Sequence, residues 1–354
     1  MRAKHLFACF VLTVVLLLVT VTPALAEFTD VGESPYKKAI NNLAAWEIVG
    51  GYKDGLFGPD DHLLRAQFAK MAVLTMEYAV SEADISTFLD TPAVDPANPL
   101  YPGAYAAVAA ANNIMQGYTS GNFGFWDNLT RQQLITVTVR AAGDVLAPPP
   151  TGYQGELNYS DPTHGDNIKR AEYNGLLDGI ANLATWDTTQ EATRGETAEL
   201  LHALFTMTLR LVGPGGIERL SIADVMGMES SEGFGGYRNS LGNVTGPLRF
   251  KGVSLADLMA LVGGGTTVTF HASDGYRKTF NAAETAGTVA QLDPVSGEEL
   301  KDRDPLTLIL AYQVGDAALA YGDGPLRTAL VSAAADQVTA SKLWIKQIVK
   351  IVVE

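Results

Sequence analysis

The stretch Gly50-Gly51-Tyr52-Lys53-Asp54-Gly55-Leu56-Phe57-Gly58-Pro59, followed by Leu63-Leu64-Arg65-Ala66-Gln67-Phe68, decides the fold of the first half of the chain. Glycine supplies the positive φ angles that tight turns need, and proline fixes the φ angle of a turn residue. The stretch therefore predicts a loop that leads into a helix, with Arg65 in the first helical turn.

The same pattern recurs downstream, and the distance from Arg65 to Arg131 gives the shift of 66 residues. The identical residues are Gly51, Tyr52, Gly55, Phe57, Gly58, Leu63 and Arg65, which recur as Gly117, Tyr118, Gly121, Phe123, Gly124, Leu129 and Arg131. A weaker third copy contains Thr193-Arg194-Gly195-Glu196 and Trp186, but its glycine turn is absent in the same register. We infer an internal repeat of three units.

An aromatic residue stands two positions before an aspartate at the start of each copy. The three pairs are Phe28 and Asp30, Phe88 and Asp90, and Tyr159 and Asp161. Aspartate ahead of an apolar-periodic segment is typical of a helix N-cap, so each copy predicts a capped loop, a helix, a turn and a second helix. The periodicity places these helices at 37–49, 66–79, 105–115, 132–142, 168–183 and 195–211.

This pattern resembles the S-layer homology family, whose repeats begin with Phe-x-Asp, carry a Gly-Tyr-x-Asp-Gly-x-Phe turn and continue into a Thr-Arg-Ala-Glu helix start. The resemblance implies a mainly α-helical region of three repeats around a pseudo-threefold axis, at 27–82, 83–147 and 153–212. It also implies binding of an anionic secondary cell-wall polysaccharide, often with pyruvate ketal carboxylates, in grooves between the repeats.

The repeat arginines Arg65, Arg131 and Arg194 are the candidate polysaccharide ligands, because guanidinium presents a planar fork of donors to a carboxylate. The other candidates are Gly51 and Gly117, whose backbone can approach the sugar, and Tyr52, Tyr118 and Trp46, whose rings can stack on it. In the alternative interpretation, each arginine pairs with a carboxylate of a neighbouring repeat. Loss of the third turn makes Arg194 the weakest ligand of the three. Phe57, Phe123 and Trp186 are expected in the core.

Residues 1–26 predict a secretory signal peptide with Arg2, Lys4, an apolar run from Leu6 to Val21 and an Ala24-Leu25-Ala26 exit. The run is too short for a transmembrane anchor, and Arg2 has no adjacent arginine, so we expect the general export route. Cys9 is the only cysteine. The net charge of −14 argues against nucleic acid and anionic lipid as partners. The five histidines lack metal-ligand spacing, and no catalytic residue is nominated.

The linker at 213–216 predicts a boundary, after which residues 217–354 form a mixed α/β domain. Its predicted strands lie near 266–270, 306–312 and 345–353, with a helix at 254–262. Four segments resemble the molybdopterin-binding domain of the sulfite oxidase superfamily, and they are Phe250-Lys251-Gly252-Val253-Ser254-Leu255-Ala256-Asp257-Leu258, Ser273-Asp274-Gly275-Tyr276, Gly324-Pro325-Leu326-Arg327 and Lys342-Leu343-Trp344-Ile345-Lys346.

This second resemblance implies a molybdopterin cofactor, with Arg249, Arg277 and Arg327 as candidate contacts to the pterin phosphate. Catalytic members hold molybdenum through a cysteine thiolate, and residues 217–354 contain no cysteine. We therefore expect no cofactor and no catalysis in this domain.

Together these patterns predict an exported, multidomain cell-surface protein that is anchored non-covalently to an anionic cell-wall polysaccharide and displays a non-catalytic C-terminal domain. One alternative is a surface oxidoreductase that binds molybdopterin. The other is a structural lattice protein whose C-terminal domain associates with itself or captures another surface protein.

Overall fold

The computed structural model describes residues 28–157, 160–320 and 322–354. The predicted signal peptide at 1–26 and Tyr159 lie outside the described residues. In the first half of the described chain the regular elements are short helices separated by long loops. These helices are α1 (Lys37–Ala45), α2 (Arg65–Thr75), α3 (Gly103–Ala111), α4 (Arg131–Ala142), α5 (Gly165–Tyr173) and α6 (Arg194–Thr206), with 3₁₀ turns at Gly143–Val145 and Leu183–Thr185.

The first helix of each repeat ends earlier than the periodicity predicts. One residue after the C-cap of α1, α3 and α5 stand Glu47, Asn113 and Gly175, with φ angles of 58°, 58° and 71°. A left-handed residue at this position terminates a helix. The apolar residues beyond it, such as Ile48 and Val49, are buried in the following turn. Because these residues continue the apolar periodicity, the predicted helix is too long.

The three repeats close into a ring at the starts of α2, α4 and α6. The backbone N–H of Leu63 donates to the carbonyl of Ala192 at 3.0 Å, Leu129 donates to Leu63 at 3.0 Å, and Ala192 donates to Leu129 at 2.8 Å. This cycle gives the repeats a pseudo-threefold arrangement. Phe57 and Phe123 are fully buried beside it, and Trp186 is nearly so, which confirms their expected place in the core.

Asp30 and Asp90 do not cap α1 and α3, so the predicted role as N-caps is wrong for both. The N-caps of these helices are Tyr36 and Pro102. Asp30 accepts hydrogen bonds from the N–H groups of Phe57 and Gly58 at 2.8 and 2.7 Å, and Asp90 accepts from Phe123 and Gly124 at 2.7 and 2.8 Å. Both aspartates therefore fasten the glycine turn back onto the start of its own repeat.

Asp161 remains close to a helix start. Its carboxylate accepts hydrogen bonds from the N–H groups of Thr163 and His164, both at 2.8 Å, in the turn that leads into α5. The N-cap itself is His164, so Asp161 supports the preceding turn.

The second half consists of two sheets and short helices. The strands are β1 (Thr208–Gly213), β2 (Gly216–Ser221), β3 (Ser230–Arg238), β4 (Val244–Ser254), β5 (Val268–Ala272), β6 (Arg277–Phe280), β7 (Thr307–Val314), β8 (Ala317–Ala318), β9 (Arg327–Val331), β10 (Thr339–Ala340) and β11 (Ile348–Val353). The helices are α7 (Ile222–Gly227), α8 (Leu255–Ala260) and α9 (Ala282–Thr285), with a 3₁₀ turn at Ser341–Leu343.

One sheet has the order β2-β1-β11-β5-β6, in which only β1 and β11 pair in parallel. The other has the order β10-β3-β4-β7-β8, and β9 also pairs with β7. Residues 213–216 form the hairpin turn between β1 and β2. The predicted boundary there is misplaced, because β1 follows α6 after Met207 and the second hydrophobic core begins at Leu209.

The two halves touch through the face of the first repeat that carries Glu77. Lys350 Nζ lies 2.8 Å from a carboxylate oxygen of Glu77, and Arg219 donates to the carbonyl of Met76 at 3.0 Å. Val349 belongs to the core of the first half. Within the described ranges, no helix has the length and apolarity that a bilayer crossing needs.

Candidate functional site

Arg65 and Arg194 each contact the glycine turn of the next repeat around the ring. Arg65 donates to the carbonyls of Phe123 and Gln116 at 2.8 and 2.9 Å. Arg194 donates to the carbonyls of Phe57 and Gly50, both at 2.9 Å. The guanidinium carbons lie 4.6 to 5.1 Å from the aromatic ring centres of these turns, Tyr118 and Phe123 for Arg65 and Tyr52 and Phe57 for Arg194.

This arrangement removes the reason for ranking Arg194 as the weakest ligand, because the repeat arginines lie at the turn of the next repeat and not at their own. The third repeat supplies Arg194 to the intact first turn, so degeneration of the third turn does not weaken its surroundings. Arg131 is instead the arginine that faces the degenerate turn. A repeat register in sequence shows which residues correspond, whereas the ring that pairs them forms only in three dimensions.

Arg131 is neutralised within the protein. Its Nη2 atom lies 2.6 Å from Glu196 Oε1, and its Nη1 donates to the carbonyl of Asp187 at 3.2 Å. Trp186 Nε1 donates to the same Glu196 oxygen at 2.7 Å. The structural alternative, in which an arginine pairs with a carboxylate of the neighbouring repeat, therefore holds at Arg131.

A groove of about 240 Å³ opens beside Arg194, between the first repeat and residues 94–102 of the second, which we call the insertion. We call it the Arg194 groove, and its lining residues are Ile48, Val49, Gly50, Gly51, Tyr52, Gln67, Lys70, Met71, Asn98, Tyr101 and Arg194. The lining residues come from the first turn, helix α2, the insertion and the third repeat. The groove therefore exists only when the ring is closed.

Two cations line the Arg194 groove. Burial lowers the pKa of Arg194, although Tyr52 and Asp61 oppose this shift, and an arginine remains protonated at neutral pH. Lys70 lies on α2 with its Nζ 5.8 Å from the ring centre of Tyr105. In the described part of the chain no carboxylate forms an ion pair with Lys70. Lys70 therefore gives the groove a positive charge that is not held in an ion pair.

The walls of the groove are aromatic and backbone groups. Tyr52 is 44% exposed, and its hydroxyl donates to Asp61 at 2.8 Å, which fixes the ring. Tyr101 is half-buried on the opposite side. A side chain at Gly51 would collide with the carbonyl of Leu56, whereas Gly50 has open space around it. Gly51 is thus required by the turn, and Gly50 leaves room at the groove.

The equivalent positions in the other repeats lack this charge. Five residues after the repeat arginine stand Lys70, Thr136 and Glu199. The Thr136 hydroxyl oxygen lies 2.7 Å from His164 Nδ1 beside the second turn, where Gly117 and Tyr118 occupy the places of Gly51 and Tyr52. The Arg194 groove is therefore the most cationic of the three.

Trp46 does not line the Arg194 groove, but it lines an adjoining pocket that shares Ile48 and Lys70 with it, and its role as a sugar platform stays a prediction. Its Nε1 donates to the carbonyl of Ala272 at 3.2 Å, and its ring packs against Phe205 and His271 with centres 5.0 and 5.7 Å apart. The indole is satisfied at the contact between the two halves.

The second half does not offer a donor set for molybdenum. Cys9 is the only cysteine, and among the described residues no three His, Cys, Asp or Glu side chains are grouped to hold a metal. Of the candidate pterin contacts, Arg249 pairs with Glu232 and Asp316. Arg327 pairs with Asp323 through Nη1, but its buried Nε and Nη2 atoms have no hydrogen-bond partner among the described residues, and Arg277 is exposed. Because residues 217–354 contain no cysteine, they lack the thiolate through which catalytic members of the sulfite oxidase superfamily hold molybdenum.

Comparison with known proteins identifies two segments of the chain. Residues 27–69 and 100–135 match the S-layer homology domain family, and these segments contain Arg65 and Arg131. These two segments are therefore S-layer homology segments.

The curated relatives are surface proteins. The chain is 27% identical over 135 residues to the "Surface layer protein" of Brevibacillus choshinensis, across 36% of this chain and 12% of that protein. It is 27% identical over 114 residues to the "Middle cell wall protein" of Brevibacillus brevis, across 31% and 10%. It is 29% identical over 163 residues to the "Cell surface protein" of Thermoanaerobacter kivui, across 44% and 20%. The chain spans a fifth or less of the length of these relatives. The relatives and the repeats together support an exported location at the cell wall or surface.

Among solved structures, the sulfane dehydrogenase SoxCD from Paracoccus pantotrophus is 14% identical, with a TM-score of 0.30 over 41% of this chain and 37% of that chain. A likeness of this level carries no conclusion about the second half.

Proposed function

We propose that the S-layer homology repeats anchor this chain non-covalently to an anionic cell-wall polysaccharide, and that the Arg194 groove is the main binding site. The observation that carries the proposal is the pair of cations, Arg194 and Lys70, beside an exposed tyrosine in a groove built from all three repeats. The second half is then displayed at the surface without catalytic chemistry.

The chemistry of the groove suits a sugar that bears an acid group. Lys70 supplies a mobile ammonium group, and Arg194 adds a fixed positive charge, so a carboxylate would make charge-assisted hydrogen bonds. Tyr52 and Tyr101 offer ring faces to the apolar face of a sugar. The open space at Gly50 allows close approach of the ligand to the backbone.

The second turn, with Arg65, Gly117 and Tyr118, is a weaker site in this proposal. It has one cation, Arg65, whereas the Arg194 groove has Lys70 in addition to its arginine. Arg131 contributes to no site in this proposal, because its Nε and Nη2 atoms donate hydrogen bonds to the carboxylate of Glu196.

Co-sedimentation of the full chain with cell-wall sacculi tests the proposal, before and after acid extraction of the secondary polymer. We expect binding that disappears on extraction, and a reduction of about tenfold or more in the affinity of Lys70→Glu, since one charge-assisted contact becomes repulsive. Lys53→Glu is the matched control, because Lys53 is exposed in the same turn but does not line the groove. Equal loss in both variants would indicate a general charge effect and would reject the groove.

A further inference from the structure

A cavity of about 580 Å³ lies between the third repeat and the second half of the chain. Asp178, Glu199 and His202 line one side, and Leu319, Pro325 and Val349 form an apolar wall on the other. Cavities of this size at a contact between domains are common sites for small ligands.

The cavity begins at the third repeat's counterpart of the Arg194 groove, where the charge is reversed. Glu199 follows Arg194 by five residues, as Lys70 follows Arg65. Asp178 stands four residues after the C-cap of α5, as Gly50 stands four residues after the C-cap of α1. Two carboxylates therefore replace a lysine and a glycine.

These carboxylates lack hydrogen-bond donors. Across the residues that the structure describes, no donor lies within hydrogen-bond distance of the side-chain oxygens of Glu199 or Asp178. Burial raises the pKa of Glu199 to about 7, against the opposing effect of Lys38, and burial also raises the pKa of Asp178. A partly buried carboxylate without donors is costly, and a ligand with N–H donors would relieve that cost.

The remaining groups around Glu199 leave the cavity acidic. Lys38, on α1, is the one cation among its lining residues. Burial, together with Lys38, lowers the pKa of His202 to about 4, so this imidazole is neutral at pH 7. The second half contributes the uncharged polar side chains of Ser273 and Gln347.

We propose that this cavity binds a small organic cation, a primary ammonium group on an apolar frame. The ammonium group donates to Glu199 and Asp178, and the frame packs against Leu319, Pro325 and Val349. The ligand of this site is thus opposite in charge to the anion of the Arg194 groove, and the inference does not depend on wall binding.

Calorimetric titration of the full chain with cyclohexylamine and with cyclohexanol at pH 8 tests the proposal, because the two probes differ in charge and share a frame. We expect the amine to bind and the alcohol to bind at least about tenfold more weakly. The affinity for the amine should fall as the pH drops below about 7, since Glu199 then takes up a proton.

Two variants localise the effect. Glu199→Gln keeps the shape of the side chain and should weaken amine binding about tenfold at pH 8. Glu218→Gln, an exposed carboxylate on β2, should leave it unchanged. Absence of amine binding, equal affinity for amine and alcohol, or full affinity in Glu199→Gln would each overturn the proposal.

Discussion

The Nη2 atom of Arg194 donates a hydrogen bond of 2.9 Å to the carbonyl of Gly50, although 144 residues separate them in the chain. This bond joins the third repeat to the turn of the first and closes the ring. Because Gly50 lines the Arg194 groove, the same contact shapes the candidate site and holds the repeats together. Stability of the ring and binding in the groove are therefore linked through one side chain.

We expect Arg194→Ala to destabilise the chain by about 3 kcal/mol, because it removes two charge-assisted hydrogen bonds and leaves the buried carbonyl of Phe57 without its donor. Chemical denaturation followed by circular dichroism measures the change. Arg140→Ala is the control, since Arg140 is exposed on α4 and its loss should cost no more than about 0.5 kcal/mol. Equal stability of the two variants would show that the ring does not rely on Arg194.

The sequence predicted the repeats but not their pairing. Identical glycines, phenylalanines and arginines at one spacing made the first two copies visible, and the burial of Phe57 and Phe123 followed from their position. The partner of Arg194 could not be predicted, because closure of a ring leaves no local signal. Gly179 is the third repeat's counterpart of Gly51, because each stands five residues after the C-cap of the first helix of its repeat. It was missed because it precedes its arginine by 15 residues, whereas Gly51 and Gly117 precede theirs by 14.

The strands of the second half were predicted only in part. β5, β7 and β11 contain runs of apolar and β-branched residues, which favour strands. β3 and β4 were missed, because glycines such as Gly235 and Gly252 interrupt the alternation of side chains. A side chain at Gly235 would collide with the carbonyl of Leu330, and one at Gly252 with the carbonyl of Leu310. Close packing of the strands therefore requires the two glycines that interrupt the alternation.

We expect opposite outcomes for alanine at two adjacent glycines of the first turn. Gly51→Ala should destabilise the chain by about 2 kcal/mol or more, because the new methyl group would lie 2.5 Å from the Phe28 ring and also collide with the carbonyl of Leu56. Gly50→Ala should be neutral or stabilise by about 0.5 kcal/mol, since nothing lies within 4 Å and the unfolded chain loses freedom. Thermal unfolding of both variants distinguishes them, and a stable Gly51→Ala would mean that the turn can rearrange.

The aspartates that fasten the turns should make stability depend on acid pH. Burial raises the pKa of Asp30, but hydrogen bonds from the N–H groups of Phe57 and Gly58 lower it more, so the pKa falls below its ordinary value of 3.8. A carboxyl group whose pKa is depressed on folding stabilises the folded state above its unfolded pKa, and that contribution is lost as the pH falls through the folded value.

We therefore expect Asp30→Asn to be less stable than the unsubstituted chain by about 1 kcal/mol at pH 7, because an amide offers one acceptor oxygen where the carboxylate offers two. The difference should shrink as the pH falls below 3.8, because Asp30 takes up a proton in the unfolded chain before it does so in the folded chain. Urea denaturation at pH 7 and pH 3 measures it, with Asp60→Asn, exposed in the same loop, as the control. A difference that stays constant between the two pH values would contradict the role of the charged carboxylate and leave only its shape as the cause.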